Sequence, residues 1–262
     1  MTESANTQQP TSYNVLLIGD SCTDVYCYGS CDRLSPEAPV PVLKFVNNVI
    51  KPGMASNVKE NLEAFGIEVD FITNNEEIQK VRYIDEKSGQ HLLRVDYEKP
   101  LVPWSGRLMT PLESYDAIVI SDYNKGFLTY EHIEQLRQNY DGPIFLDTKK
   151  TDLKRFDGCI IKINETEYKN SISIPENLIV TMGSDGALHK NKYQEAIYPT
   201  KRVEVTDVCG AGDTFLSALT FEHLRSKNFN RSITFANQCS AITVQHRGVY
   251  SLTTADIDSI II

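Results

Sequence analysis

The eleven residues Thr206-Asp-Val-Cys-Gly-Ala-Gly-Asp-Thr-Phe-Leu216 carry the sharpest chemical signal in the chain. Gly210, Ala211 and Gly212 are small enough for their backbone N–H groups to approach an anion. The apolar-periodic helix that begins near Asp213 adds the positive end of its dipole, which makes a phosphate cradle. Asp213 has two readings at that spot. It can cap the helix, or it can accept the proton of an attacking hydroxyl while the loop neutralises charge on the group being transferred. The two roles are compatible. A second polar run, Asn164-Glu-Thr-Glu167, follows the apolar stretch Cys159 to Ile163. Four polar residues after a strand are ordinarily a turn or a helix cap. Asp20 ends the apolar run Val15-Leu-Leu-Ile18-Gly19, and ligand sites favour the carboxyl ends of such strands.

These groups need a scaffold, and the apolar pattern supplies one. Buried strands are expected at Val15 to Ile18, Val69 to Thr73, Ala117 to Ser121, Ile144 to Asp147, Cys159 to Ile163 and Leu178 to Met182, each bounded by polar or turn residues. Helical spacing links Ala55, Val58, Leu62 and Phe65, then Ile133 and Leu136, then Phe215, Leu216, Leu219 and Leu224. Alternating strands and helices imply an α/β fold with a doubly wound, mostly parallel sheet. Val40 to Val46 and Val81 to Tyr97 break the rhythm, and the period of two in Leu93, Val95 and Tyr97 implies antiparallel strands with one wetter face. We read these as a small β lid drawn from about 38–47 and 81–97.

Bulk properties narrow the function class. At 262 residues the chain fits one large domain, expected over 13–262 behind a disordered polar tail at 1–12. The net charge of −9 is spread along the chain, and no Lys/Arg run is dense enough to follow a phosphate backbone, which argues against nucleic acid. No apolar run approaches the roughly 20 residues that span a bilayer. Met1 to Ser12 lacks the apolar stretch of a signal peptide, so a cytoplasmic protein without membrane contact is expected. Six cysteines, with no Cys-x2-Cys pair, read as free thiols rather than a zinc site.

Asp207-Val-Cys-Gly-Ala-Gly-Asp213-Thr-Phe resembles the C-terminal signature of the ribokinase-like (PfkB) carbohydrate kinases. The resemblance implies that Gly210, Ala211 and Gly212 form an anion hole and that Asp213 activates a sugar hydroxyl. Asn164-Glu-Thr-Glu167 is similar to the family's Asn-x-x-Glu motif, implying nucleotide contact at Asn164 and Glu167, with Mg²⁺ at Glu167 directly or through water. Pro52-Gly-Met-Ala-Ser-Asn57 resembles its Gly-Gly-x-x-Asn substrate loop, with Gly53 and Asn57 as sugar contacts and Met54 in place of the second glycine. Gly183-Ser-Asp-Gly186 is similar to the loop near the ATP phosphates, Asn237 matches a position near the adenine, and Asp207 with Gly248 matches a site for a monovalent cation such as K⁺.

Further runs are similar to the heptose-7-phosphate kinase branch: Gly19-Asp20-x3-Asp24, Arg33 to Val42, Arg94-Val-Asp96, Ser121 to Gly126 and Asp147-Thr-Lys149. The likeness covers most of Val15 to Thr253. It implies ATP as co-substrate and a small-molecule sugar phosphate as partner, with O1 of D-glycero-β-D-manno-heptose 7-phosphate as acceptor. Asp20, Asp24 and Asn57 suit sugar hydroxyls. Arg33, Arg94 and Lys125 suit the phosphate already on the sugar. After Phe71 to Asn75 the chain passes almost directly to Val81, where relatives insert a helix and a strand that often mediate dimer formation, so a homodimer and the acceptor's size are what this contraction touches. No His-x-Gly-His run is present, and kinase chemistry alone is expected. A kinase for another sugar or a nucleoside, and a non-catalytic sugar- or nucleotide-binding relative, are the competing readings.

Overall fold

The computed structural model describes residues 12–260, so the expected disordered tail at 1–12 lies, apart from Ser12, outside the described residues. In chain order the elements are β1 (Asn14–Gly19), β2 (Ser21–Ser30), β3 (Lys44–Met54), α1 (Ala55–Ala64), β4 (Glu68–Thr73), β5 (Gln79–Asp85), β6 (His91–Tyr97), β7 (Ala117–Asp122) and α2 (Tyr130–Asn139). They continue with β8 (Ile144–Thr148), β9 (Ile160–Asn164), α3 (Glu165–Asn170), β10 (Asn177–Thr181), β11 (Ala187–Asn191), β12 (Glu195–Tyr198), α4 (Ala211–Ser226), α5 (Phe229–Thr243) and α6 (Thr254–Ser259).

The six apolar runs become neighbouring strands of one eight-stranded sheet, ordered β12-β11-β10-β9-β8-β7-β1-β4. It is parallel from β10 to β4 and finishes in the antiparallel β11 and β12. Successive side chains point to opposite faces. Leu16, Ile18, Ile118 and Ile120 therefore pack beneath α2, whereas Val15, Leu17, Ala117 and Val119 pack against α1, α4 and α5. Burial on both faces is why these strands read as continuous apolar runs. Among the described residues no helix is long and apolar enough to cross a membrane.

A separate four-stranded sheet, β3-β2-β5-β6, forms the lid. Of the segments expected to form it, residues 81–97 carry most of β5 and all of β6, whereas 38–47 carry only the start of β3, which begins at Lys44 and runs on to Met54. Pro39 and Pro41 withhold donors from a ladder, and 34–41 carries only one isolated bridge, Leu34 to Pro41. The antiparallel expectation holds for β2–β3 and β5–β6, while the central β2–β5 pair is parallel. The reason is topological. β2 continues from β1 and β5 from β4, and β1 and β4 run parallel side by side.

The crossings between core and lid are short. Asp20 alone separates β1 from β2, and Met54 ends β3 where Ala55 begins α1. The Ala55 amide donates to the Asp20 carbonyl at 2.9 Å, joining the two crossings. The third crossing, 74–78, is stitched to the first by the Ser21 amide donating to Asn74 Oδ1 at 2.7 Å and by Thr73 Oγ1 donating to the Gly19 carbonyl at 2.8 Å.

Candidate active site

The anion cradle begins with Gly210, which caps α4 in the left-handed region at φ 80, where a residue without Cβ is favoured. A Cβ on Gly212 would lie 2.9 Å from Lys162 Nζ, so the glycine lets that ammonium approach the helix start. The preceding turn is clasped by Asp207, whose two carboxylate oxygens take the amides of Cys209 and Gly248, each at 3.0 Å.

Asp213 is the third residue of α4, not its cap. Its side chain turns away from the helix backbone: Oδ2 accepts from Asn57 Nδ2 at 2.8 Å and Oδ1 accepts from the Tyr123 hydroxyl at 3.0 Å. The capping reading is thereby replaced by a buried carboxylate aimed at other elements. Burial pushes its pKa up to about 6, while the donors Asn57 and Tyr123 pull it back. The Asn57 amide is itself fixed in orientation, because Asn61 Nδ2 donates to the Asn57 carbonyl (2.8 Å) and Oδ1 (3.1 Å), and Thr214 Oγ1 donates to Asn61 Oδ1 (3.2 Å).

Asp20 is fully buried between core and lid. Oδ2 takes the Lys125 amide at 3.3 Å, while Oδ1 has no hydrogen-bond partner. Burial and the nearby Asp122 charge raise its pKa to about 6. An unpaired buried carboxylate oxygen costs free energy until a donor reaches it. Asp24 differs from its expected part: Arg82, buried beside it, holds Oδ1 at 2.5 Å. A Cβ on Gly53 would lie 2.3 Å from Asp24 Oδ2, so Gly53 makes room for that carboxylate.

Two adjoining cavities meet at Gly183, Val208 and Gly212. The larger, about 590 Å³, has Val205, Phe215 and Val244 on its walls and Asn237 at its side. Asn237 Nδ2 donates to the Tyr198 carbonyl at 2.9 Å, and Gly186, at φ 89, keeps the β10–β11 turn clear of that same carbonyl. An apolar slot with a few polar groups suits a nucleoside. The smaller cavity, about 400 Å³, is lined by Tyr123, Asp147, Lys149, Lys162, Asn164 and Asp213. Lys162 Nζ meets Asp147 at 2.6 Å, and Lys149 bridges Asp147 (3.6 Å) and Glu167.

The Asn-x-x-Glu run is a reciprocal capping box on α3: Asn164 Oδ1 takes the Glu167 amide at 2.9 Å and Glu167 Oε2 takes the Asn164 amide at 2.8 Å. Its second carboxylate oxygen faces Lys149. No group of three or more His, Cys, Asp or Glu side chains able to hold a metal occurs among the described residues. Asp147 and Glu167, bridged by Lys149, are the carboxylates on hand for a Mg²⁺ that would arrive on nucleotide phosphates.

The family model described as pfkB family carbohydrate kinase matches residues 54–255. The chain belongs to this family. Its activity class is ATP-dependent phosphorylation of a carbohydrate. Among curated relatives, the bifunctional protein HldE of Vibrio parahaemolyticus serotype O3:K6 is 30% identical over 94% of this chain and 63% of its own length. That of Nitratiruptor sp. is 30% identical over 93% and 64%. The chain thus spans under two thirds of these relatives. Among solved structures, ribokinase from Thermotoga maritima superposes with a TM-score of 0.72 at 16% identity, covering 94% of this chain and 98% of its own. Phosphofructokinase-2 from Escherichia coli in complex with potassium gives 0.74 at 15%, covering 95% and 98%. The pfkB kinase architecture is thereby shown, sheet and lid together.

Within this pfkB kinase the structure brings together Asp213, Asn57 and the 210–212 loop, and gathers Asn164, Gly183 and Asn237 around the cavities. It sets three cations apart from them. Lys125 pairs with Glu98 at 2.6 Å, Arg94 pairs with Asp96 at 2.9 Å, and Arg33 is exposed on the loop before β3. Sequence reasoning missed Tyr123, Lys162 and Asn61 as site residues. For Lys162 a signal existed, since a Lys within the apolar strand Ile160-Ile-Lys-Ile163 needs a buried partner.

Proposed function

We propose that this kinase transfers the γ-phosphoryl group of ATP to O1 of D-glycero-β-D-manno-heptose 7-phosphate, giving the 1,7-bisphosphate. The reading rests on one observation above all: a buried carboxylate, Asp213, shares a cavity with the 210–212 cradle beside an apolar slot, and Tyr123 links it to the buried carboxylate Asp20. O1–H gives its proton to Asp213 as the oxygen attacks the γ-phosphorus, the bond to the β-phosphate oxygen breaks, and ADP leaves. The amides at 210–212 and the ammonium of Lys162 face the charge that develops on the phosphoryl oxygens. Asp147 and Glu167 are the carboxylates that would hold a Mg²⁺ brought in on the nucleotide, and that ion would supply further charge neutralisation. Asp20 Oδ1 is free to accept a sugar hydroxyl, and Asn57 completes the acceptor side. Arg94 and Lys125 each hold one carboxylate that a sugar's phosphate can displace, and Arg33 is exposed on the loop before β3. Asp207, with both oxygens on backbone amides, serves as a loop clasp, and a K⁺ would have to share it.

The heptose acceptor draws its support from the HldE relatives and the N-terminal runs. Met54 favours a second reading, a pfkB kinase for a different sugar, because it places a long side chain at the core–lid crossing. An ADP-release assay comparing the heptose 7-phosphate with fructose 6-phosphate, ribose and a nucleoside separates the two. Turnover confined to another acceptor removes the heptose reading, and no turnover with any of them favours a non-catalytic relative. We also propose that the lid edge forms a homodimer. β3 has an unpaired edge and exposes Phe45, Val46, Val49 and Ile50, a combination that soluble monomers avoid. Sedimentation of Ile50→Lys against wild type tests this, and an unchanged sedimentation coefficient removes it.

A further inference from the structure

The loop that follows β7 is anchored from below by a buried network. Asp122 takes Lys150 Nζ at 3.0 and 3.2 Å and Thr148 Oγ1 at 2.5 Å. Asn124 sits in the left-handed region at φ 56, its Oδ1 accepts from Lys150 Nζ at 3.0 Å, and its amide returns to Asp122 Oδ1 at 3.0 Å. A non-glycine residue held at positive φ persists where its surroundings over-determine it. Between these anchors the Tyr123 amide faces the Asp20 carboxylate, as does the Lys125 amide at 3.3 Å. The Tyr123 hydroxyl meanwhile donates to Asp213 Oδ1 at 3.0 Å. One residue thus spans the carboxylate at the end of β1 and the carboxylate at the start of α4.

We infer that Tyr123 is a positioning residue for phosphoryl transfer, its hydroxyl holding the Asp213 carboxylate in one orientation and in its ionised form. The inference rests on Asp213 being the base. One donor would leave a carboxylate free to rotate; Asn57 on Oδ2 and Tyr123 on Oδ1 fix both oxygens, and each keeps a second lone pair for the acceptor's proton. The other charges around Asp213 come from separate elements: Asp147 on β8, Lys162 on β9, and Lys149 and Lys80, whose ammonium groups lie 5.1 and 5.6 Å from the Tyr123 ring centre. The thiol of Cys22 on β2 also senses both Lys80 and Asp213. None of these groups is altered when the phenol oxygen is removed. Burial and the neighbouring Asp213 and Asp147 charges keep the phenol protonated, so it remains a donor wherever Asp213 can act as base.

The test compares wild type, Asp213→Asn, Tyr123→Phe and a protein carrying 3-fluorotyrosine at 123, a stronger donor of similar size. Two readouts are taken from pH 5 to 9: the ¹³C titration of the Asp213 carboxyl, assigned by its loss in Asp213→Asn, and kcat for the acceptor that wild type phosphorylates. In Tyr123→Phe the Asp213 titration and the acidic limb of kcat move up together by about half a unit to one unit, and kcat falls about tenfold. The nucleotide KM stays within about twofold, since the lost bond is not to the nucleotide. Fluorotyrosine moves the titration and the limb down. A Tyr123→Phe protein with an unmoved titration overturns the inference, whether or not its melting temperature drops, and if it does not fold, an unmoved titration with fluorotyrosine does the same. Substantial turnover in Asp213→Asn instead removes the base assignment, which the titration does not depend on.

Discussion

Burial brings the pKa of Asp213, the proposed base, up to about 6 and makes its carboxylate a burden on the fold. With a folded pKa of about 6, against an ordinary value of 3.8, the native state holds the proton more tightly than the unfolded chain does. Its favourable contribution is present below 3.8 and is lost as pH rises through 6. Two outcomes follow. Activity should rise along an acidic limb centred near pH 6, and Asp213→Asn should lower kcat by about 10² to 10⁴-fold. The same variant should melt higher than wild type at pH 7.5, with the gap closing towards pH 5, where the wild-type carboxyl regains its proton; melting curves at the two pH values check this. Asp213 and the small residues before it were legible in the chain because their spacing is local. Tyr123 was not, since its part depends on Asp122, Lys150 and Asp213 meeting from distant segments. Asn164 shows the converse: it caps α3 in a reciprocal box with Glu167 and it also lies on the wall of the smaller cavity.

At the scale of elements, the junction of β3 and α1 is the most constrained. Met54 is held at φ 58, ψ −131, while its side chain is buried in the core. Such a backbone costs a side-chain-bearing residue about 1–3 kcal/mol, whereas burial of the Met side chain returns about 1.5–3 kcal/mol. Met54→Ala keeps the strain and loses the burial; Met54→Gly loses both. Glycine should therefore be the more stable of the two by about 1 kcal/mol, the reverse of the usual order, as read from urea denaturation midpoints. Arg82 and Asp24 tie β5 to β2 within the lid. Arg82→Met leaves Asp24 buried without its cation and should cost about 3–5 kcal/mol, measured the same way. The core strands were legible because burial on both faces erases polar interruption. β3 was not, because exposure along most of its length removes the alternation that marks a strand, and β11 and β12 are short and polar at the sheet's edge.

At the scale of the molecule, acid works against the packing of α4 and α5 on the sheet. His223 lies 5.6 Å from Phe145 and 4.6 Å from Phe229, and His189 lies 4.8 Å from Phe229. Burial lowers the pKa of both, that of His223 to about 4. Each gains a proton more readily when unfolded, so the stability they allow is present above 6.5 and is lost as pH falls below it, for His223 towards about 4. Replacing His223 with Phe should flatten the decline in denaturation midpoint over that window. The doubly wound sheet and the existence of a lid were readable from periodicity, but the way one is fastened to the other was not, because it turns on single residues. Asp20 is both the whole of one crossing and the carboxylate with an oxygen to spare, and its carbonyl is bonded to the neighbouring crossing at Ala55. A hydroxyl held at that oxygen, as proposed above for the acceptor, would bear directly on the joint where core and lid meet, with no residue needed in between.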